Sequence, residues 1–245
     1  MDYNSYQISL KEYIVMSGIV LAATMLVAFL FYNTWYGMIL FPFFFLLCRV
    51  NFKKYRKGQR NQELLIQFKD AIHIACNSLQ SGYSMENAWI AAEREMEELY
   101  GKGSLMVIEL HRMNEAIGLN LPLERLLADF ARRSGNDEIQ NFSEVFSFAK
   151  RSGGNIVQIM KTTTDHIQES VEVKREIEVL ISAKKFEQMI LNVVPIGILF
   201  YLRFSSLDYL NVLYGNGFGI AFMTGCFILY GVAIYVSQKI MDIQV

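Results

Sequence analysis

The chain has 245 residues, is 53% hydrophobic, and carries a formal charge of −1. The charge is uneven: 19 Lys and Arg and 19 Asp and Glu lie between Lys53 and Lys185, and the two ends are nearly free of it. A neutral middle leaves no electrostatic argument for nucleic acid, and three scattered cysteines (Cys48, Cys76 and Cys226) argue against a disulfide framework or a zinc site.

From the N-terminus, Tyr13 to Tyr32 is an uncharged run of about 20 residues, enough at 1.5 Å per residue to span a ~30 Å hydrocarbon core. Asp2, Lys11 and Glu12 precede it, so it lacks the basic start of a signal peptide. A second apolar block, Trp35 to Cys48, follows after Asn33-Thr34, a connection so short that it demands an antiparallel hairpin. This block is short for a span, and Arg49 and Lys53 are expected to snorkel. A third block, Met189 to Leu202, contains Asn192 and Pro195, and a fourth runs from Phe218 to Val236.

Basic residues cluster after the second block (Arg49, Lys53, Lys54, Arg56, Lys57, Arg60), before the third (Lys174, Arg175, Lys184, Lys185) and after the fourth (Lys239). The positive-inside rule then puts both termini and the whole middle in the cytoplasm. Tyr32, Trp35, Tyr36, Tyr209 and Tyr214 fall where an outer aromatic belt belongs.

Between the apolar ends, hydrophobic residues recur at helical spacing, as in Leu65, Phe68, Ile72, Cys76 and Leu79, or Met85, Ala88, Trp89, Ala92 and Met96. Six helices are predicted, over 61–80, 84–100, 104–117, 122–133, 137–151 and 155–185, and no strand. The expected fold is all-α: an integral membrane protein with two transmembrane helix hairpins (1–52 and 186–245) flanking a cytoplasmic six-helix bundle (53–185). The sixth helix continues toward the third apolar block, so it could carry motion into the bilayer.

Three stop-and-restart corners separate these helices. Gly82 closes one helix and Ser84 caps the next; Gly118 ends a helix and Pro122 suits the first position of another; Gly153 closes a helix and, after Gly154, Asn155 caps the last, with Gln158 completing a loose capping box. The glycines could instead present backbone amides to a ligand, but no Gly-Lys-Ser or Gly-Lys-Thr follows, and a turning role suits them better.

The stretches LQSGYSMENAW (79–89), GLNLPLERLLADFARRSGND (118–137) and FAKRSGGNIVQIM (148–160) resemble, in order and spacing, the type II secretion system F domain. One such domain between two hairpins is similar to the inner-membrane platform proteins of tight-adherence (Flp) pili, TadB and TadC. The resemblance covers about residues 60–240. It implies a platform in the plasma (inner) membrane of a prokaryote that couples a cytoplasmic secretion ATPase to extraction of pilin subunits and filament assembly, or to secretion. Pilin subunits, membrane lipid and a second platform protein or further copies of the chain are the implied partners, with no nucleic acid and no cofactor.

No catalytic or metal site is expected. His73, His111 and His166 lie on three different predicted helices, and no HExxH, GxSxG, P-loop or GxGxxG occurs. The chain is therefore expected not to be an enzyme. The densest acidic run contains Glu93, Glu97 and Glu98; it is either a solvated helix face or a docking surface for the ATPase. Asn192 and Pro195, inside an apolar block, serve either helix packing or contact with a pilin helix. The competing reading is a membrane-bound sensor or enzyme with a dimeric helical domain. A sensor kinase would need a nucleotide domain after its helices, and a membrane enzyme would need ionisable residues inside its spans.

Overall fold

The computed structural model describes Tyr3 and residues 10–31, 41–205 and 216–241. Every element among the described residues is an α-helix: α1 (Leu10–Phe31), α2 (Phe41–Gln80), α3 (Met85–Tyr100), α4 (Leu105–Gly118), α5 (Leu123–Ser134), α6 (Asp137–Ser152), α7 (Ile156–Ser205) and α8 (Gly217–Met241). The chain forms two compact units, one of residues 1–7 and 53–173, the other of residues 8–52 and 174–245.

The first unit is built on the periodicity read from the sequence. Phe68, Ala71, Ile72 and Ala75 of α2 are buried, as are Ala88, Trp89, Ala92 and Met96 of α3 and Met106, Leu110 and Met113 of α4. Leu127 and Phe130 of α5, Ile139, Phe142 and Phe146 of α6, and Met160 and Ile167 of α7 complete one core. Phe68 is its centre. Its ring lies 5.2 Å from Phe142, edge to face, and 5.8 Å from Phe130. Such aromatic pairs add to their area burial, so Phe68→Ala should cost about 3–5 kcal/mol. Trp89 is fully buried, yet its indole N–H has no hydrogen-bond partner.

One predicted helix starts earlier than expected, and another continues into the third apolar block as its sequence suggests. The first predicted bundle helix, 61–80, is the last part of α2, which begins at Phe41; the sixth, 155–185, is the first part of α7, which runs on to Ser205 with Pro195 inside it. No Gly-Pro or Asn-Gly breaker separates charged from apolar residues in either stretch, so nothing in the sequence stops the helix there.

In the second unit, Leu30 and Phe31 of α1 pack with Met223 of α8, and Val27, Ile196, Leu199 and Phe227 border them. The Phe31 and Phe227 rings meet edge to face at 5.1 Å. The Arg203 guanidinium lies 3.8 Å over the Phe29 ring and donates to the Phe29 carbonyl at 2.7 Å. Among the described residues three helices, α1, α7 and α8, are long and apolar enough to cross a membrane, as in a membrane protein. Of the second apolar block, residues 41–48 form the start of α2, and 35–40 lie outside the described residues. So do Tyr32, Tyr209 and Tyr214 of the expected aromatic belt.

Candidate functional site

The corners of the first unit fall at two ends. At the end of α2, the Cys76 thiol is 3.6 Å from the Val157 carbonyl in the first turn of α7. Lys150, near the end of α6, pairs with Glu124, in the first turn of α5, at 3.0 Å. These contacts gather the corners at 81–84, 119–122 and 153–155 at one end, opposite the end that α2 enters at Lys53. The second end holds the corners at 101–104 and 135–136: the Met106 N–H donates to Gln67 Oε1 at 3.0 Å, and Asn136 Nδ2 donates to Asn61 Oδ1 at 3.1 Å.

At the first end, Gly82 and Gly153 have φ of +91° and +72°. Gly153 and Gly154 both donate their N–H to the Ala149 carbonyl, and the Gln158 N–H donates to Asn155 Oδ1 at 3.1 Å. The Gln158 side chain reaches on to Thr162, so the reciprocal half of the capping box is not formed. Ser84 Oγ accepts from the Asn87 N–H at 3.3 Å. At the middle corner Gly118 ends its helix as expected, and Pro122 departs from expectation. Gly118 is the last residue of α4, and the left-handed position is Asn120, with φ 62°; a short polar side chain tolerates that conformation. Pro122 is the cap before α5 (φ −68°, ψ 132°) and not its first helical residue, because its extended ψ keeps it out of the helix. Around these corners Tyr83, Leu119, Leu121 and Phe148 are exposed apolar side chains.

Two corners at the second end escaped the sequence reading. Ser104 caps α4 through the Val107 N–H, and Asn136 caps α6 through the N–H groups of Glu138 and Ile139, after Gly135 closes α5 with φ 61°. The signal was present in Ser134-Gly135-Asn136-Asp137, the same Gly-then-Asn pattern as at 153–155.

The acidic run lies near this second end and is divided. Glu93 is half-buried against α4, where His111 Nδ1 sits 2.7 Å from one carboxylate oxygen and Asn114 Nδ2 donates to the other at 2.7 Å. Hydrogen bonding to Glu93, with its charge, holds the His111 imidazole above its ordinary value. Glu97 pairs with Lys102 at 3.1 Å and Glu98 with Arg94 at 3.9 Å; Glu98 is exposed. His73 and His166 are exposed as well.

A buried polar node at the second end has no counterpart in the sequence reading. Glu109 is 1% exposed. It takes a bidentate ion pair from Arg133, at 2.9 Å through Nη1 and more closely through Nη2, and Arg133 Nε also donates to Asp129 at 2.7 Å. Tyr3 closes the node: its hydroxyl donates to Glu109 at 2.8 Å, its N–H to the Arg133 carbonyl at 3.2 Å, and its ring meets Phe130 edge to face. Burial, then the neighbouring Glu109 carboxylate, push the Tyr3 phenol above its ordinary value. Glu109 stands three residues after Met106 and four before Met113, so helical spacing places it on the buried face of α4, but nothing in sequence ties it to residue 3.

In the second unit, the Asn192 carbonyl accepts a hydrogen bond from the Tyr230 hydroxyl of α8. Pro195 lacks the N–H that would serve the adjacent Leu191 carbonyl, so this region of α7 is where backbone acceptors are short of donors. The tie is made by the Asn192 backbone, so the residue type at 192 does not determine it.

Among the described residues no group of His, Cys, Asp or Glu could hold a metal ion. Comparison of the chain with protein-family models, with curated proteins and with solved structures finds no match.

Proposed function

We propose that the chain is a non-enzymatic membrane platform of the type II secretion F-domain kind, which couples a cytoplasmic ATPase to the assembly of a tight-adherence or related pilus, or to secretion. The observation that carries this reading is the gathering of the three motif-bearing corners at one end of the helical unit. That end exposes Tyr83, Leu119 and Phe148, and it lies opposite the entry of α2. A surface of this kind suits a motor. The α3 acidic run suits one less well, because Glu93 already holds α4.

A second observation supports the two-hairpin topology with the helical unit and N-terminus on one side, which the basic residues of the sequence assign to the cytoplasm. Tyr3 and Lys53 belong to the same unit. If α1 crosses the bilayer, the chain must cross again before Lys53, which makes the short second block a span. The platform would work with pilin subunits and with a second platform protein or further copies of itself. The test is a mild-detergent pull-down of the tagged chain followed by mass spectrometry. A secretion-type ATPase and a second platform protein should come with it; recovery of neither with a folded, membrane-bound chain would reject the platform role.

A further inference from the structure

Basic residues on α2 form a stripe. Arg49, Lys53, Arg56, Lys57 and Arg60 recur at three- and four-residue spacing along one helix, so they share a face, and Lys54 lies beside them. No acid interrupts the run before Glu63. The stripe starts at the residue after Cys48, where the apolar part of α2 ends. A merely solvated helix would mix the two signs, as α3 does with Arg94 among Glu93, Glu95, Glu97 and Glu98.

Distance along the helix sorts these residues. The polar headgroup layer is about 5–7 Å deep on each side of the hydrocarbon. Arg49, Lys53 and Lys54 lie within about 9 Å of Cys48 at 1.5 Å per residue. Arg60 lies about 18 Å away, beyond that layer plus a Debye length of about 8 Å. It lies over the Tyr3 ring at 5.8 Å instead, and with Arg56 it lines a cleft of about 290 Å³ against Gly103, Ser104 and Leu105. The nearer three are all exposed.

We propose that Arg49, Lys53 and Lys54 form a binding surface for anionic phospholipid headgroups. This rests on the membrane reading of α1 and α2. The ammonium groups of Lys53 and Lys54 and the guanidinium of Arg49 meet headgroup phosphates, and the preference for anionic lipid comes from their summed positive potential.

The test equilibrates the full chain in detergent with equal amounts of phosphatidylglycerol and phosphatidylcholine of the same acyl chains and counts retained lipids by native mass spectrometry. Phosphatidylglycerol should be retained in clear excess. The excess should fall at least about five-fold in Lys53→Gln/Lys54→Gln, since each basic residue near the surface contributes about that factor. Arg94→Gln/Lys102→Gln, which removes the same charge elsewhere, should leave it unchanged. Equal retention of the two lipids by the native chain, or equal losses in both variants, would overturn the proposal and leave these charges a role in orientation alone. Alkaline carbonate washing of membranes separates the two failures. A chain that stays in the pellet but shows no lipid preference rejects only the lipid surface, and a chain released by the wash rejects the membrane reading and the surface with it.

Discussion

The Tyr3 hydroxyl donates to the Glu109 carboxylate across 106 positions of sequence, and Arg133 grips the same carboxylate from the other side. Glu109 is thus a buried charge whose partners come from two distant places in the chain. Removing one partner leaves the charge without compensation, which costs far more than the pair contributes. Arg133→Met should destabilise the chain by about 3–5 kcal/mol. Tyr3→Phe, which leaves the ion pair whole, should cost about 1 kcal/mol. Denaturant unfolding of the detergent-solubilised chain measures both, and equal costs would contradict the order of these contributions.

The corners offer a sharper contrast between two glycines of similar motif standing. Gly153 has φ +72°, so Gly153→Ala should cost about 1–2 kcal/mol. Gly118 has no positive φ, and a Cβ built there meets nothing within 4 Å. Gly118→Ala should therefore be neutral or stabilise by up to about 1 kcal/mol. Thermal melting of the two variants beside the native chain decides it, and matching losses would mean that the α4–α5 corner needs glycine for a reason outside its backbone angles.

His111 gives the fold a pH dependence of definite sign. Its folded pKa lies above the unfolded value of about 6.5 because Glu93 favours the charged ring. The stabilisation is then fully present below the unfolded value and is lost as pH rises through the folded one. The difference in melting temperature between the native chain and His111→Gln should accordingly shrink from pH 6 upward. A difference that grows over that range would show the Glu93 contact to be absent in solution.

If the corner end meets the motor, Leu119→Asp combined with Phe148→Asp should lower ATPase recovery by at least about tenfold, the effect of losing a buried interface anchor. Glu97→Lys with Glu98→Lys should change it by less than about twofold. Glu93 is left untouched because a lysine there would break its contacts with His111 and Asn114. The reverse outcome would move the docking surface to the acidic end of α3.

The helices of the bundle were legible because each carries its own period and punctuation: Phe68, Ile72 and Cys76 repeat at helical spacing, and Ser84 and Asn155 cap where capping residues stand. Features built from residues far apart were not. Asn120, which the sequence does not single out, holds the left-handed position of the α4–α5 corner, two residues after Gly118 ends its helix. Tyr3 sits in a stretch without period. Asn192 stands out in the sequence for its side-chain amide, yet the contact made there is through its backbone carbonyl, to a tyrosine 38 residues on.

The sealed position of Trp89 has a practical consequence. The sequence has only two tryptophans, and the other is Trp35. With Trp35 replaced by Phe, all indole emission would come from the core between α2, α3 and α4. Its emission maximum would be blue-shifted in the native chain and would move to longer wavelength when water reaches the ring. The helical unit thus carries its own optical reporter, one that reads the opening of that core against a background of lipid and detergent to which the signal is otherwise blind.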